Sequence, residues 1–210
     1  MERKPTNAER SGATRAALVA AARPLFAARG YAGVGAEEIV AAAGVTRGAL
    51  YHHFGGKEGL LAAVYEQLEQ ELLERIGARV AEAGATDPLA ALQVGADGFL
   101  EACSEPEVNR VVLLDAPSVL GWERWREIGW RYGAGLTEGV VQAAIDAGQI
   151  ASQPARPLAH LLLGALDEAA LYVARSPDPA AARSEARAAI ASLLEGLRVR
   201  PQRRRTDARA

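Results

Sequence analysis

The sequence predicts an all-α chain of about nine helices. Three observations carry that expectation. Apolar residues recur at three- and four-residue spacing, alanine is abundant while aromatic residues make up 5%, and Gly and Pro fall between the periodic stretches rather than within alternating ones.

Each element follows in order. Leu18, Ala22, Leu25 and Phe26 share one face of a helix over residues 14–29, which Gly30 ends. Ile39, Val40 and Ala43 mark a short helix stopped by Gly44, and after a turn of Gly44-Val45 a second short helix covers residues 46–53. Over residues 57–83, Leu60, Leu61, Val64, Leu68, Leu72, Ile76 and Val80 line one face of a helix about 40 Å long. Asp87-Pro88 and Asp178-Pro179 each pair an N-cap acid with a proline at the first helical position, where its missing N–H costs nothing, so each opens a helix. Breaks are expected at residues 104–106, 117–121 and 148–157.

With 210 residues, 50% of them hydrophobic and 24% charged, the chain is of globular composition and long enough for one or two domains. A lone cysteine, Cys103, excludes an intramolecular disulfide framework and a multi-cysteine zinc site. The N-terminal stretch has no apolar signal region, and no apolar run approaches the roughly 18 residues that cross a bilayer, so a cytoplasmic protein with no membrane partner is expected. A formal net charge of −2 argues at first against nucleic acid. Its distribution argues the other way. Residues 1–57 hold 8 basic and 4 acidic side chains, residues 58–197 hold 10 and 21, and residues 198–210 hold 6 and 1. A basic end and a basic tail thus flank an acidic body.

Two short helices joined by a tight glycine turn, behind a supporting helix, form a helix-turn-helix whose second helix is sized for a DNA major groove. Ile39, Val45 and Leu50 supply its internal core. Thr46 is placed to cap that second helix and to meet a phosphate, and Arg47 points where a base edge would lie. Gly48 and Ala49 are small enough to let the helix approach the groove closely. Tyr51, His52, His53 and Lys57 carry phosphate donors, which position a protein on DNA rather than read bases. Phe54 reads as core, and two histidines at adjacent helical positions point about 100° apart and cannot share a metal ion.

From Gly30-Tyr31 through Ile39 and Ala42-Ala43-Gly44-Val45-Thr46-Arg47-Gly48-Ala49-Leu50-Tyr51-His52-His53-Phe54 to Lys57-Glu58-Gly59-Leu60-Leu61, the sequence resembles the DNA-binding domain of TetR-family transcriptional regulators. The resemblance covers residues 11–70 and implies a homodimeric, ligand-responsive repressor. It implies base reading by Arg47, Gly48 and Ala49, and phosphate contacts by Tyr51, His52 and Lys57. Ala36 departs from the pattern, because many members place Thr or Ser there as a phosphate donor.

The acidic body calls for another role. Trp122, Trp125, Gly129, Tyr132, Leu136 and Val140 share a face that serves either as core or as the wall of a ligand pocket. Asp167 either anchors an effector or pairs with His160 or an arginine across an interface. With Phe99, Cys103, Leu113 and Leu171, the residues Trp122, Trp125 and Asp167 are the candidate ligand contacts, although Cys103 itself reads as a small buried hydrophobe. The stretch 158–174 is apolar almost all round, and with the last helix it can build a four-helix dimer interface through Leu162, Ala165, Leu166, Ala169, Ile190, Leu193 and Leu197. The TetR resemblance implies that same layout.

The sequence carries no nucleophile elbow, phosphate loop, dinucleotide fingerprint or zinc-protease motif, so no enzyme, cofactor or metal is expected. The expected organisation is a DNA-binding domain over residues 1–58, an effector and dimerisation domain over 59–198, and a basic tail over 199–210 that is either solvated and disordered or an accessory phosphate contact. The expected partners are double-stranded operator DNA, a small-molecule effector and a second copy of the chain. The alternative is a helix-turn-helix activator or nucleoid-type DNA binder without an effector.

Overall fold

A computed structural model describes residues 6–85 and 87–199, so the basic tail expected over 199–210 lies, but for Val199, outside the described residues. Helices α1 (Asn7–Arg29), α2 (Ala36–Ala43), α3 (Arg47–Phe54) and the first turns of α4 (Lys57–Glu82) form the N-terminal module. The body consists of α5 (Pro88–Ala102), the single turn α6 (Pro106–Val108), a π-helical stretch over Asn109–Asp115, α7 (Ala116–Leu120), α8 (Trp122–Asp146), α9 (Ala155–Arg175) and α10 (Pro179–Leu197). Among the described residues, extended pairing is limited to an isolated bridge between Ile150 and Arg198.

Helix α1 begins well before its apolar stripe. Thr6 accepts a hydrogen bond from the Glu9 amide at 3.2 Å while the Glu9 carboxylate accepts from the Thr6 amide at 2.6 Å, a reciprocal capping box. The first turns of α1 are solvent-exposed, so no periodic apolar pattern marks them. The break expected over residues 117–121 falls at Gly121, φ 81°, while Pro117 lies inside a helical run that continues from the π-helical stretch. The break over 148–157 separates α8 from α9, with Pro157 in the first turn of α9, where the ring meets no preceding carbonyl. The expected Asp caps hold: Asp87 accepts from the amides of Leu89 and Ala90, and Asp178 from that of Ala181.

One apolar core runs without interruption from Leu18, Phe26, Ile39 and Leu50 through Leu61 and Tyr65 to Val112, Trp125 and Leu171. Module and body therefore share a packed interior along α4. A second core, with Leu89, Val141, Leu158, Ile190 and Leu194, closes the far end. By length and composition alone α9, at mean hydropathy 1.2, is apolar enough to cross a membrane, contrary to the expectation from strict apolar runs. It packs against α8, α10 and α5.

Candidate DNA-binding face and internal cavity

Backbone geometry builds the turn between the two short helices. Gly44 closes α2 in the left-handed region at φ 66°, which a side chain would resist, and the Val45 amide returns to the Val40 carbonyl at 3.0 Å. The Thr46 hydroxyl accepts from the Ala49 amide at 3.2 Å and starts α3. Ile39 and Leu50 are fully buried between the helices, while Val45 is half-buried. A Cβ on Gly59 would lie 1.9 Å from the Phe54 carbonyl oxygen, so only glycine lets α4 start this close to the end of α3. From α1, Arg15 donates to the His53 carbonyl at 3.3 Å and its guanidinium sits 4.5 Å from the Phe54 ring centre.

Thr46, Arg47, Gly48, Tyr51 and His52 are exposed, and positions 47, 48, 51 and 52 share one helical face. Ala49 and His53 are half-buried, with His53 edge-on to His52. Arg47 is held ready on this surface. Its guanidinium donates to the Glu37 carboxylate at 2.9 Å and lies 5.6 Å from the Tyr51 ring centre. Lys57 faces inward: its ammonium donates to the carbonyls of Tyr31 and Val34, each at 2.9 Å, and covers the Tyr31 ring at 3.9 Å. Two of its three donors are thereby used within the chain. At the start of α2, the N-cap Gly35 has no side chain to bond and Ala36 is the first helical residue, and Glu38 pairs with Arg29 at 2.5 Å.

The module is tied to the body by charged groups as well as by packing. Arg23 on α1 donates twice to Glu107, at 2.8 Å each, and once to Glu71 on α4 at 2.6 Å. Asp115, the last residue of the π-helical stretch, accepts from the Tyr31 amide at 2.7 Å. The same short segment, residues 31–34, is thus held by Lys57 from one side and by Asp115 from the body.

Within the body, α4, α5, α8, α9 and α10 wall a cavity of about 130 Å³. Of the candidate ligand contacts, Phe99 and Asp167 line it. Cys103, Leu113, Trp125 and Leu171 are instead buried in the core, and Trp122 is half exposed, stacked on Trp125 at 4.8 Å between ring centres. The Trp125 indole donates to the Val112 carbonyl at 2.8 Å, which turns this part of α8 toward the π-helical stretch. Further along the same face, Gly129, Tyr132, Leu136 and Val140 do reach the cavity. The stripe is core at one end and wall at the other.

Several residues expected at a dimer interface also lie inside the chain. Leu162 and Ile190 are buried, and both line the cavity with Leu166, because α9 turns this face toward α8 and α5. Ala165, Ala169 and Leu197 are half-buried, and Leu193 is exposed. Leu161 and Tyr172, which the apolar pattern does not single out, are the large apolar side chains that α9 exposes.

Two carboxyl groups stand in the apolar wall, Glu69 from α4 and Asp167 from α9. Asp167 accepts from Arg126 at 3.0 Å within the same chain, while His160 packs edge-on against Trp130. Burial pushes the Asp167 carboxyl up to about 6, against the opposing pull of Arg126. Burial pushes Glu69 up to about 7, with the Tyr65 hydroxyl acting in the other direction and Asp167 adding to the rise. Burial likewise raises the Cys103 thiol well above its ordinary value, which suits an inert core residue rather than a reactive one. Glu69 is absent from the candidates the sequence suggests, although it interrupts the apolar stripe beside Tyr65, Leu68 and Leu72, the pattern a buried acid leaves.

Comparison with known proteins bears on both regions. Residues 18–64 match the family described as bacterial regulatory proteins, tetR family, and residues 65–197 match the tetracyclin repressor-like C-terminal domain. The Tn10 TetC protein of Escherichia coli is 30% identical over 164 residues, covering 78% of this chain and 82% of that protein. The HTH-type transcriptional regulator CymR of Pseudomonas putida is 35% identical over 120 residues, 56% of this chain and 59% of that one. Among solved structures, a TetR-family transcriptional regulator from Pectobacterium atrosepticum superposes with a TM-score of 0.81 at 38% identity, over 94% of this chain and all of that one. RolR in complex with resorcinol shares the fold, with a TM-score of 0.73 at 19% identity over 93% of this chain and 97% of that one.

Proposed function

The chain belongs to the TetR family of bacterial transcriptional regulators, and from that premise we propose that it is a cytoplasmic, homodimeric repressor released from a palindromic operator by a small, largely apolar effector. The observation that carries this reading is the exposed face of α3, where Thr46, Arg47, Gly48, Tyr51 and His52 stand free of the core on a short helix clamped by α1 and α4. In the proposed division of labour, residues 1–58 bind DNA and residues 59–198 bind effector and partner subunit.

Arg47 and the small Gly48 and Ala49 read base edges, and Tyr51, His52 and His53 meet phosphates. The first-turn amides of α2, which no side chain caps, offer a further phosphate contact. Lys57 serves chiefly to fix residues 31–34, with one donor left for the backbone. Effector in the cavity presses on α4 and, through α9, on the π-helical stretch, and Asp115, Arg23 and the shared core carry the displacement to α1 and the helix-turn-helix. The effector prefers the state in which the two α3 helices no longer match successive major grooves, and that preference is what releases DNA.

A gel shift with DNA from upstream of the chain's own gene tests the reading. Binding should weaken steeply with salt and collapse in the Arg47→Ala/Tyr51→Phe variant, whose melting temperature stays near that of the parent because both side chains are exposed. Unchanged binding by that variant would remove α3 as the reading helix.

A further inference from the structure

The cavity carries chemistry that narrows what enters it. At about 130 Å³ it is close to the size of an engineered apolar cavity of about 150 Å³ that holds benzene, so its occupant is about one ring in bulk. Phe99, Tyr132, Leu136 and Leu166 supply apolar surface for such a ring. Three hydrogen-bond donors around the cavity are engaged within the chain, and the Tyr132 hydroxyl of the wall is a further neutral one. The Thr137 hydroxyl donates to the Gly133 carbonyl at 3.0 Å, Arg126 donates to Asp167 at 3.0 Å, and the Tyr65 hydroxyl is shared between the Trp125 carbonyl, at 3.1 Å, and the Glu69 carboxylate.

Glu69 thus meets neutral hydroxyls but no cation. Among the described residues no lysine or arginine pairs with it, whereas Asp167 has Arg126. The groups that face Glu69 from the packed elements are Tyr65 on its own helix, Cys103 at the end of α5, and Asp167 on α9 with Arg126 of α8 behind it. None brings an uncommitted positive charge. A half-buried carboxyl set in an apolar wall favours keeping a proton or meeting a cation.

We infer that the effector is a ring-sized molecule bearing a positively charged nitrogen, seated with its apolar part among the leucines and its ammonium against the Glu69 carboxylate. This rests on the reading of the cavity as the effector site. A neutral hydroxylated ring would offer Glu69 a hydrogen bond but would leave its buried charge uncompensated, and an anion would be repelled by both carboxylates. The ammonium replaces the proton that Glu69 otherwise holds, so binding releases a proton to solvent. Because burial raises the Glu69 carboxyl to about 7, part of that proton is still held at neutral pH and is released on binding.

Calorimetric titration of the full chain with benzylamine, benzyl alcohol and benzoate tests this. Benzylamine should bind at least tenfold more tightly than benzyl alcohol at pH 7, its binding heat should vary with the ionisation enthalpy of the buffer, and benzoate should not bind. Glu69→Gln should erase the amine preference and the proton release while benzyl alcohol still binds, which shows the cavity intact. Equal binding of amine and alcohol by the parent chain, or an amine preference that survives in Glu69→Gln, would overturn the charge inference and leave the effector cavity standing. Binding of neither ring would overturn both.

Discussion

The N-terminal module and the body handle charge in opposite ways. In the module Lys57 and Arg15 end on backbone carbonyls and Arg23 on the carboxylates of Glu71 and Glu107, while the α3 face stays exposed. In the body two carboxyls are kept inside an apolar wall, one with a cation and one without. A surface that meets a rigid, highly charged duplex gains from being pre-formed and saturated. A cavity that must change state on binding gains from a group whose solvation its ligand completes.

Lys57→Met breaks the first half of this contrast and has the largest expected effect. The substitution keeps the apolar stem and removes the ammonium, leaving two half-buried carbonyls without their charged donor. Hydrogen bonds to a charged group contribute about 1.5–3 kcal/mol, so thermal or urea unfolding should show a loss of about 2–3 kcal/mol. Were Lys57 only a phosphate contact, stability would hold and DNA affinity alone would fall.

The two regions are unequally legible in the sequence, for a physical reason. The helix-turn-helix is local: Gly44, Thr46 and the buried Ile39 and Leu50 lie within a dozen residues, so spacing alone places them. Lys57 reads from the sequence as chiefly a phosphate donor because its acceptors, more than twenty residues upstream, are backbone atoms that no sequence pattern displays. The cavity draws on five helices spread over the whole body, and nothing in the periodicity of α9 or α10 separates a face that lines a cavity from one that meets a second chain. Leu162 and Ile190, expected at an interface, line the cavity on that account. The π-helical stretch, between the breaks expected at residues 104–106 and 117–121, reads as ordinary helix, since its extra residue per turn leaves no compositional mark.

The second half of the contrast is sharpened by pH. Because burial raises Glu69 from 4.5 to about 7, the folded chain holds that proton more tightly than the unfolded chain does. The stability this adds is fully present below about pH 4.5 and is lost as pH rises through about 7. Asp167, raised from 3.8 to about 6, acts in the same direction over a lower window. Glu69→Gln removes the titration. At pH 8 the variant should be more stable than the parent by about 2 kcal/mol: each tenfold difference in proton affinity between folded and unfolded chain corresponds to about 1.4 kcal/mol, the full shift to about 3, and the solvent that still reaches the half-buried carboxylate takes off the rest. At pH 4.5 the two should melt together. A variant less stable at pH 8 would mean that the neutral hydroxyls around the ionised carboxylate satisfy it without a cation.

The smallest expected effect falls on the DNA-binding face. Glu37 pairs with Arg47 where both side chains are more than half exposed, and exposed pairs contribute about 0–1 kcal/mol. Releasing Arg47 toward a base therefore costs little, and the pair serves to hold the guanidinium over Tyr51 rather than to stabilise the fold. Glu37→Gln removes the competing charge and also a negative group facing the duplex. Unfolding should change by less than about 0.5 kcal/mol, while operator affinity should rise by up to about fivefold at low salt and by less as salt screens the lost repulsion. A fall in affinity would show that Glu37 orients Arg47 for its contact. The face would then depend, like the cavity, on a carboxylate held for a partner, and the opposition between the two regions would narrow to where each keeps it.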